Sequence, residues 1–181
     1  MFAKYGHVRH YNRDKNGAIN TRCFVNNSFN FLLKKDDHVE DWIANNKKNA
    51  ISFIAGYADA EGTFCICGGD GVFSIKSQDK NILFFIHNCM NKLGVLCKPP
   101  GMFLPAGHID KRGIKNNRDA WILTVYRKDS LLKLINLFKP ILKHKKRFRD
   151  MLLVEKNINN RNRKYNNCKD KRWYKTKYEW P

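Results

Sequence analysis

Two carboxylates, Asp59 and Glu61, stand where the apolar stretch ISFIAGYA ends. Apolar and small side chains recur at helical spacing through this stretch and Gly62 is a natural stop, so residues 49–61 are predicted to form a helix. Carboxylates beside so apolar a surface are costly unless a basic group pairs with them or a cation binds them. The pair therefore indicates either a salt bridge at the helix end or a cation site.

The charge balance of the chain is strongly positive, with 35 Lys and Arg against 16 Asp and Glu in 181 residues. The resulting net charge of +19 creates a positive field that suits a polyanion. Solubility alone does not explain it, because acidic residues serve solubility better. Nucleic acid is the predicted partner, and an anionic membrane surface is the alternative. No segment has the roughly 18 consecutive apolar residues of a membrane span.

The segments after the carboxylates alternate between strand and helix patterns. TFCIC and VFSIKS are predicted strands around the turn GGDG, AWILTVYR is a further strand, and VLCK is a short one. Helices are predicted over residues 79–93, 129–138 and 141–157. The resulting order, αββαββα, predicts an α+β fold in which helices cover one face of an antiparallel sheet.

The opposite face of this sheet carries few acids and several basic or neutral hydrogen-bonding residues. A two-stranded ribbon fits the major groove of DNA, where alternate side chains reach base edges and basic residues hold phosphates. The alternative is an ordinary amphipathic sheet that happens to be basic. Residues 99–118 form a long basic loop, which is predicted to be either functional or disordered. The candidate DNA contacts on the sheet and loop are Ser74, Lys76, Lys111, Arg112, Lys115, Arg118, Ile122, Thr124 and Tyr126.

Composition divides the chain into an N-terminal extension (1–48) with a short helix in DHVEDWIANN, a central domain (49–160) and a basic aromatic tail (161–181). Residues 143–177 hold 14 basic and 3 acidic residues interleaved with aromatic ones. Such a segment either tracks a nucleic-acid backbone or is disordered. The six cysteines have no framework spacing and are predicted to be reduced thiols in a reducing compartment.

The stretch IAGYADAEG, residues 54–62, resembles the nine-residue motif of the LAGLIDADG homing endonucleases. The Ala-Gly pair, both acids and the final glycine are preserved, and Thr-Phe follows them. FSIKSQDKNIL resembles the family's second-strand-to-helix segment, and FKPILKHKKRF resembles its late basic segment. The resemblance covers about residues 49–157 and implies a saddle-like antiparallel sheet that faces DNA.

The resemblance implies a metal-dependent DNA endonuclease and assigns roles to several residues. Glu61 matches the metal-binding acid, the Ala60 carbonyl is an additional ligand, and Asp59 is mainly structural at the helix end. Lys145 matches the basic residue that polarises the site or stabilises transition-state charge. The implied cofactor is Mg²⁺, with two or three ions shared per dimer site. The implied phosphate contacts beside the site are Lys143, Lys146 and Arg147.

The chain departs from the family at the end of the second strand. After FSI the family usually continues with one residue and then Gln-Lys-Asp, whereas this chain has Lys76 and then Ser77-Gln78-Asp79. Either Ser77 takes the water-positioning place or Gln78 shifts into it. Activity could be weakened by this change.

Only one copy of the motif is present in the chain, whereas the family's active site needs two motif helices. The resemblance therefore implies a homodimer in which small residues allow the two helices to approach, with a long, nearly palindromic target. The implied interface residues are Ala55, Gly56, Ala58 and Asp59.

The function expected from the sequence is that of a site-specific double-strand DNA endonuclease, encoded within an intron or similar mobile element. The chain is rich in Lys and Asn, whose codons are A-rich, which fits such an origin. Two alternatives use the same scaffold: a maturase that binds its own intron RNA, and a non-catalytic DNA-binding regulator. The expected location is intracellular, in a bacterial cytoplasm or an organelle.

Overall fold

The protein is described by a computed structural model over residues 6–13, 19–25 and 37–166. The chain divides into two compact units, residues 1–36 and residues 37–181. The predicted tail beyond residue 166 lies outside the described residues. No helix in the described part of the chain is both long and apolar enough to cross a membrane.

The first unit contains an antiparallel hairpin of two strands, β1 (Gly6–Arg13) and β2 (Ile19–Val25). Its pairing is regular from Gly6↔Val25 to His10↔Thr21 and shifts register before Arg13↔Ile19. The sequence analysis assigned no structure to these residues. Nearly all of the described side chains of these strands are exposed. Strands that bury so little do not need alternating apolar and polar residues, and that alternation is the pattern by which a half-buried strand is predicted.

The second unit has the predicted α+β architecture. After a short first helix, the order αββαββα is confirmed, and a further helix follows it. A four-stranded antiparallel sheet has the strand order β3-β4-β6-β5. The elements are α1 (Asp41–Ala44), α2 (Lys47–Glu61), β3 (Gly62–Cys67), β4 (Asp70–Ser77), α3 (Lys80–Lys92), β5 (Gly101–Leu104), β6 (Ala120–Val125), α4 (Lys128–Phe138) and α5 (Lys145–Asn166).

Three predicted element boundaries differ from the structure. The segment VLCK is not a strand, and the strand at this point of the order is β5, inside the predicted loop. The predicted helix over 141–157 begins instead at Lys145, because Pro140 and the turn after it separate α4 from α5. It also continues beyond residue 157, to Asn166.

Alternation along β4 decides which face of the sheet the helices cover. Phe73 and Ile75 are fully buried, whereas Lys76, the residue after Ile75, points to the opposite face and is exposed. Phe73 stacks with Phe64 of β3 at a centroid distance of 4.6 Å and meets Phe138 of α4 edge-on at 5.9 Å. These rings join the sheet to the helical layer. Among the described residues of this unit no helix lies on the opposite face of the sheet, which we call the uncovered face.

Part of the predicted extension belongs to this second unit. Val39 is 7% exposed and lies in the core. The Asp37 carboxylate accepts hydrogen bonds from the backbone N–H groups of Asn81 and Ile82, at 2.8 and 2.9 Å. These are free N–H groups in the first turn of α3, so Asp37 caps that helix.

Candidate functional site

The two acids of the predicted site stand at the C-terminal end of α2, where Glu61 is the last helical residue. Helix C-termini carry partial negative charge, so carboxylates there are unfavourable unless positive groups face them. The last turn of α2 contains no basic residue that could do so. Asp59 and Glu61 therefore both depend on partners from outside the helix.

Asp59 finds its partners at the start of α5. Its carboxylate oxygens accept hydrogen bonds from the backbone N–H groups of Lys143, at 2.9 Å, and His144, at 3.1 Å. Free N–H groups before a helix carry partial positive charge and favour a carboxylate. Asp59 thus fastens the end of α2 to the start of α5.

Replacing Asp59 with Ala should lower the free energy of unfolding by about 2 kcal/mol, because two charge-assisted hydrogen bonds at a helix start are lost. Asp59→Asn keeps one side-chain oxygen as an acceptor and should lose roughly half as much. Urea denaturation measures both variants. Wild-type stability in Asp59→Ala would contradict the fastening role.

A second contact joins the same two helix ends. Arg147 Nη2 donates a hydrogen bond to the carbonyl oxygen of Ala60, and Arg147 Nε is buried without a hydrogen-bond partner. The Ala60 carbonyl is the oxygen that the resemblance implies as a metal ligand. In the isolated chain a guanidinium therefore occupies this oxygen, and it would compete with a metal ion there. Lys145 is the first residue of α5. In the chain it lies between His144 and Arg147, which both contact the end of α2.

Glu61 differs from Asp59 because its side chain is exposed and unpaired. Within the described residues, no hydrogen bond or ion pair reaches its carboxylate. The salt bridge considered from the sequence is thus absent there. Glu61 and the adjacent carbonyl of Ala60 offer hard oxygen donors, the type that Mg²⁺ prefers. The described part of the chain contains no cluster of three His, Cys, Asp or Glu residues suited to a metal ion.

Ser77 and Gln78 end β4 in different environments. Tyr57 Oη of α2 donates to Asp79 Oδ2 at 3.0 Å and lies 2.7 Å from Ser77 Oγ, which also accepts from the Asp79 backbone N–H at 3.1 Å. Burial raises the pKa of the Tyr57 phenol well above its usual value, so the phenol keeps its proton. The Ser77 hydroxyl is thus used inside the protein, whereas Gln78 is exposed. Sequence reasoning missed this network because Tyr57 is 20 positions from Ser77 and 22 from Asp79.

The small residues of α2 divide between two faces, and this corrects the predicted interface. Ala55 and Ala58 are 0% and 1% exposed and pack in the protein's own core, so they cannot form an exposed interface. Gly56 is exposed, and a Cβ atom added there would meet nothing within 4 Å. Ser52, Gly56 and Ala60 recur every four residues and form an exposed strip of small residues along α2.

The uncovered face of the sheet carries the side chains predicted to face DNA. Ser74 pairs directly with Thr124, and Lys76 pairs with Ile122, across β4 and β6. Tyr126 is 47% exposed just after β6. The Lys76 ammonium lies 4.0 Å from the ring centroid of Phe103, close enough for a cation–π contact that holds the charge over β5. The structure thus brings these predicted residues to one surface.

The predicted basic loop is an ordered extension of the β5–β6 hairpin, and we name residues 105–119 the basic finger. Its sides are joined by hydrogen bonds from Gly107 N to Asn116 O (2.7 Å) and from Asn116 N to His108 O (2.8 Å). At the tip, the Asp110 carboxylate accepts from the Ile114 N–H (3.0 Å) and from Arg112 Nε (2.9 Å). These bonds hold the pKa of Asp110 below its usual value. The predicted contacts on the basic finger are all exposed: Lys111, Arg112, Lys115 and Arg118.

The remaining predicted basic contacts lie at the start of α5. Lys143, Lys145 and Lys146 are exposed. Lys146 Nζ forms an ion pair with Asp150 one turn later, at 3.0 Å. Lysines at a helix start oppose the helix dipole, so their presence here is not explained by the stability of α5.

Comparison with known proteins finds solved structures of similar fold, among them two homing endonucleases. One is an archaeal intron-encoded homing endonuclease, I-Vdi141I, in complex with DNA: identity is 22%, the match covers 65% of this chain and 72% of that one, and the TM-score is 0.42. The other is the homing endonuclease I-TnaI, with 17% identity, coverage of 64% and 75%, and a TM-score of 0.44. No protein-family model matches the chain, and no curated protein matches it.

Proposed function

We propose that the chain is a site-specific double-strand DNA endonuclease that acts as a Mg²⁺-dependent homodimer. The observation that carries the proposal is the end of α2, where Glu61 is exposed beside the Ala60 carbonyl and has no partner among the described residues. A carboxylate held at a helix C-terminus without a partner costs stability, so its value to the protein lies in what it binds. The motif resemblance at the same residues supports a metal and a DNA phosphate as the ligands.

Each copy would hold metal through the Glu61 carboxylate and the Ala60 carbonyl. Bound Mg²⁺ ions supply Lewis-acid stabilisation of the attacking and leaving oxygens of a phosphodiester. Because a carbonyl oxygen has two lone pairs, Arg147 would either share the Ala60 carbonyl with the ion or release it. Its freed guanidinium has five donors and suits a nearby phosphate.

Two further side chains are assigned to the reaction. Lys145 stands at the start of α5 and would neutralise negative charge that develops on the phosphate. Gln78 would orient the attacking water, since its side chain is exposed whereas the Ser77 hydroxyl is committed to Tyr57 and Asp79. We therefore propose Gln78, of the two candidates from the sequence, for the water-positioning place. The direct test is whether the chain cuts duplex DNA with Mg²⁺ and whether Glu61→Gln abolishes cutting.

The dimer is proposed to form through the exposed strip of Ser52, Gly56 and Ala60. Small side chains allow two helix backbones to approach closely, and the strip leads to Glu61. Two copies related by a two-fold axis would bring two Glu61 carboxylates together and complete the metal site. The same symmetry predicts a long and nearly palindromic target.

Replacing Gly56 with Leu should leave the folded monomer intact but prevent association and cleavage. The added side chain points into open space in one copy but blocks the approach of a second helix. Analytical ultracentrifugation measures the association. Lys92→Leu, which adds the same side chain at an exposed position of α3, is the matched control. A Gly56→Leu protein that dimerises and cuts like the control would exclude this interface.

Duplex DNA is proposed to lie against the uncovered face of the sheet. The paired side chains of β4 and β6 form the ribbon that alternates towards a groove, with the basic finger beside it. Exposed Cys65 and Cys67 of β3 carry their side chains on this same face. Their thiols are therefore natural reporters of DNA contact.

DNA binding should slow the alkylation of Cys65 and Cys67 several-fold at neutral pH, because DNA covers their thiols. Cys97 serves as an internal reference, since burial raises the pKa of its thiol to about 11 and leaves little reactive thiolate. It should react slowly with or without DNA. Site-resolved mass spectrometry measures the three rates. Unchanged rates at Cys65 and Cys67 in a saturated complex would place DNA on another surface.

One observation favours a second candidate, the RNA-binding maturase. The internal use of the Ser77 hydroxyl removes one of the two polar groups available to position water. If Gln78 does not replace it, the scaffold would bind nucleic acid without cutting. Tight, selective binding of a structured RNA with no duplex cleavage would identify the maturase. A DNA-binding regulator would instead bind one duplex sequence and be indifferent to Glu61→Gln.

A further inference from the structure

The hairpin of the first unit has two unlike faces. His7, Arg9 and Tyr11 of β1 share one face with Arg22 and Phe24 of β2, as the pairs His7↔Phe24 and Arg9↔Arg22 require. We name these five residues the hairpin face. All five are exposed. The other face carries Val8 and Cys23, which are partly buried, and a hydrogen bond between His10 and Thr21 of 3.0 Å.

The charge of the hairpin face is not explained by the stability of the hairpin. Arg9 and Arg22 are direct cross-strand partners, and like charges in that position destabilise a strand pair. The described hairpin strands contain no Asp or Glu that could offset them. An isolated two-stranded hairpin is already marginally stable in water. A polyanionic ligand would relieve this repulsion.

Each aromatic ring of the hairpin face lies close to a cationic or polar side chain. The Arg22 guanidinium lies 5.2 Å from the ring centroid of Tyr11, and the His7 and Phe24 rings are 6.3 Å apart. Proteins that bind single strands stack bases on free ring faces. Here one face of Tyr11 is covered by Arg22, so the surface presents charge more than stacking area. That favours the phosphates of a duplex.

The spacing of the face also fits a duplex. Every second residue of a strand advances about 6.8 Å. Neighbouring phosphates of one DNA strand are separated by a similar distance, because the backbone also turns around the axis as it rises about 3.4 Å per base pair. Side chains at positions 7, 9 and 11 can therefore follow neighbouring phosphates along one DNA strand. Arg9 lies in the middle of these three positions, and Arg22 lies directly opposite it on β2. Both are exposed.

We propose that the N-terminal hairpin is a second DNA-contact element, which holds the phosphate backbone of duplex DNA through the hairpin face. The proposal rests on the proposed function only in taking duplex DNA as the ligand. Neither the motif resemblance, which covers about residues 49–157, nor the site at Glu61 assigns a role to the hairpin. The hairpin adds affinity that does not depend on base sequence.

The test uses the full chain and a long duplex of random sequence, in EDTA so that no cleavage occurs. Affinity is measured by fluorescence anisotropy over a range of salt concentrations. The double variant Arg9→Gln, Arg22→Gln should reduce the slope of log affinity against log salt by about 1.8, because each lost phosphate contact contributes about 0.9. Lys92→Gln, Lys156→Gln removes the same charge from the exposed surfaces of α3 and α5 and should leave the slope close to wild type.

A conservative variant separates contact from folding: Arg9→Lys, Arg22→Lys keeps both charges and should keep the wild-type slope. A wild-type slope in the Gln variant would overturn the proposal. So would an equal reduction of the slope in the Lys variant. A reduction seen with single-stranded RNA in the same assay, but not with the duplex, would also overturn it. Since EDTA removes the cleavage step, this result does not depend on nuclease activity. If the Gln variant has a reduced slope but the wild-type chain does not cut DNA with Mg²⁺, only the nuclease proposal fails. If the wild-type chain cuts DNA but the Gln variant keeps the wild-type slope, only the hairpin contact fails.

Discussion

Glu61→Gln is expected to reduce Mg²⁺-dependent cleavage at least about 1,000-fold, a loss of about 4 kcal/mol of transition-state stabilisation. The substitution removes the negative charge that would hold the metal. Because Glu61 has no hydrogen bond or ion pair within the described residues, the fold loses nothing. Duplex affinity in EDTA should therefore remain at the wild-type value. Single-turnover cleavage and anisotropy measure the two quantities separately.

A matched control for this variant is Glu40→Gln, which removes an equally exposed carboxylate just before α1, away from the site. It should cut and bind like wild type. Removing a negative charge from a helix C-terminus should also raise the stability of Glu61→Gln by a few tenths of a kcal/mol, at most about 1 kcal/mol. Cleavage by Glu61→Gln at the wild-type rate would remove Glu61 from the catalytic site. Lower stability instead would mean that its role is structural.

Gly62→Ala is expected to destabilise the protein by about 3 kcal/mol. A Cβ atom at this position would lie 2.6 Å from the Ala58 carbonyl oxygen and 2.9 Å from the Ala58 Cα atom. Both are backbone atoms of α2, so the strand and the helix must separate to relieve the clash. Glu61 lies at this junction, and cleavage should fall with stability. Urea denaturation measures the loss.

Gly56→Ala is the control for this prediction because it changes a glycine within the neighbouring helix α2, where a Cβ atom has open space. At concentrations where the chain is monomeric, the change should stabilise α2 by up to about 1 kcal/mol, since glycine disfavours a helix. Equal stabilities for Gly62→Ala and wild type would show that the junction can relax. In that case the position of Glu61 would not depend on the glycine.

The sequence predicted what depends on local periodicity. Alternation in VFSIKS and AWILTVYR correctly divided β4 and β6 into a buried and an uncovered face, as buried Phe73 and exposed Lys76 illustrate. It could not say which small residues of α2 face inward. Ala55 and Gly56 are adjacent and equally small, and only packing against the protein's own core distinguishes them.

The contacts that were missed join residues far apart in the chain. Arg147 and Ala60 are 87 residues apart, and no local pattern indicates that a guanidinium covers the predicted metal ligand. The hairpin was missed for a different reason. Its strands bury almost no side chains, so the apolar alternation that identifies strands never arises. The metal and the DNA contacts remain predictions that the chain's chemistry supports.

Sequencing the double-strand ends produced when the purified chain meets a randomised duplex library tests the central claim most directly. With Mg²⁺, discrete cuts should appear at one long, nearly palindromic sequence. They should disappear with EDTA and in the Glu61→Gln variant. A folded chain that binds the duplexes but yields no ends with Mg²⁺ would contradict the nuclease. Cuts that persist in Glu61→Gln would contradict the site.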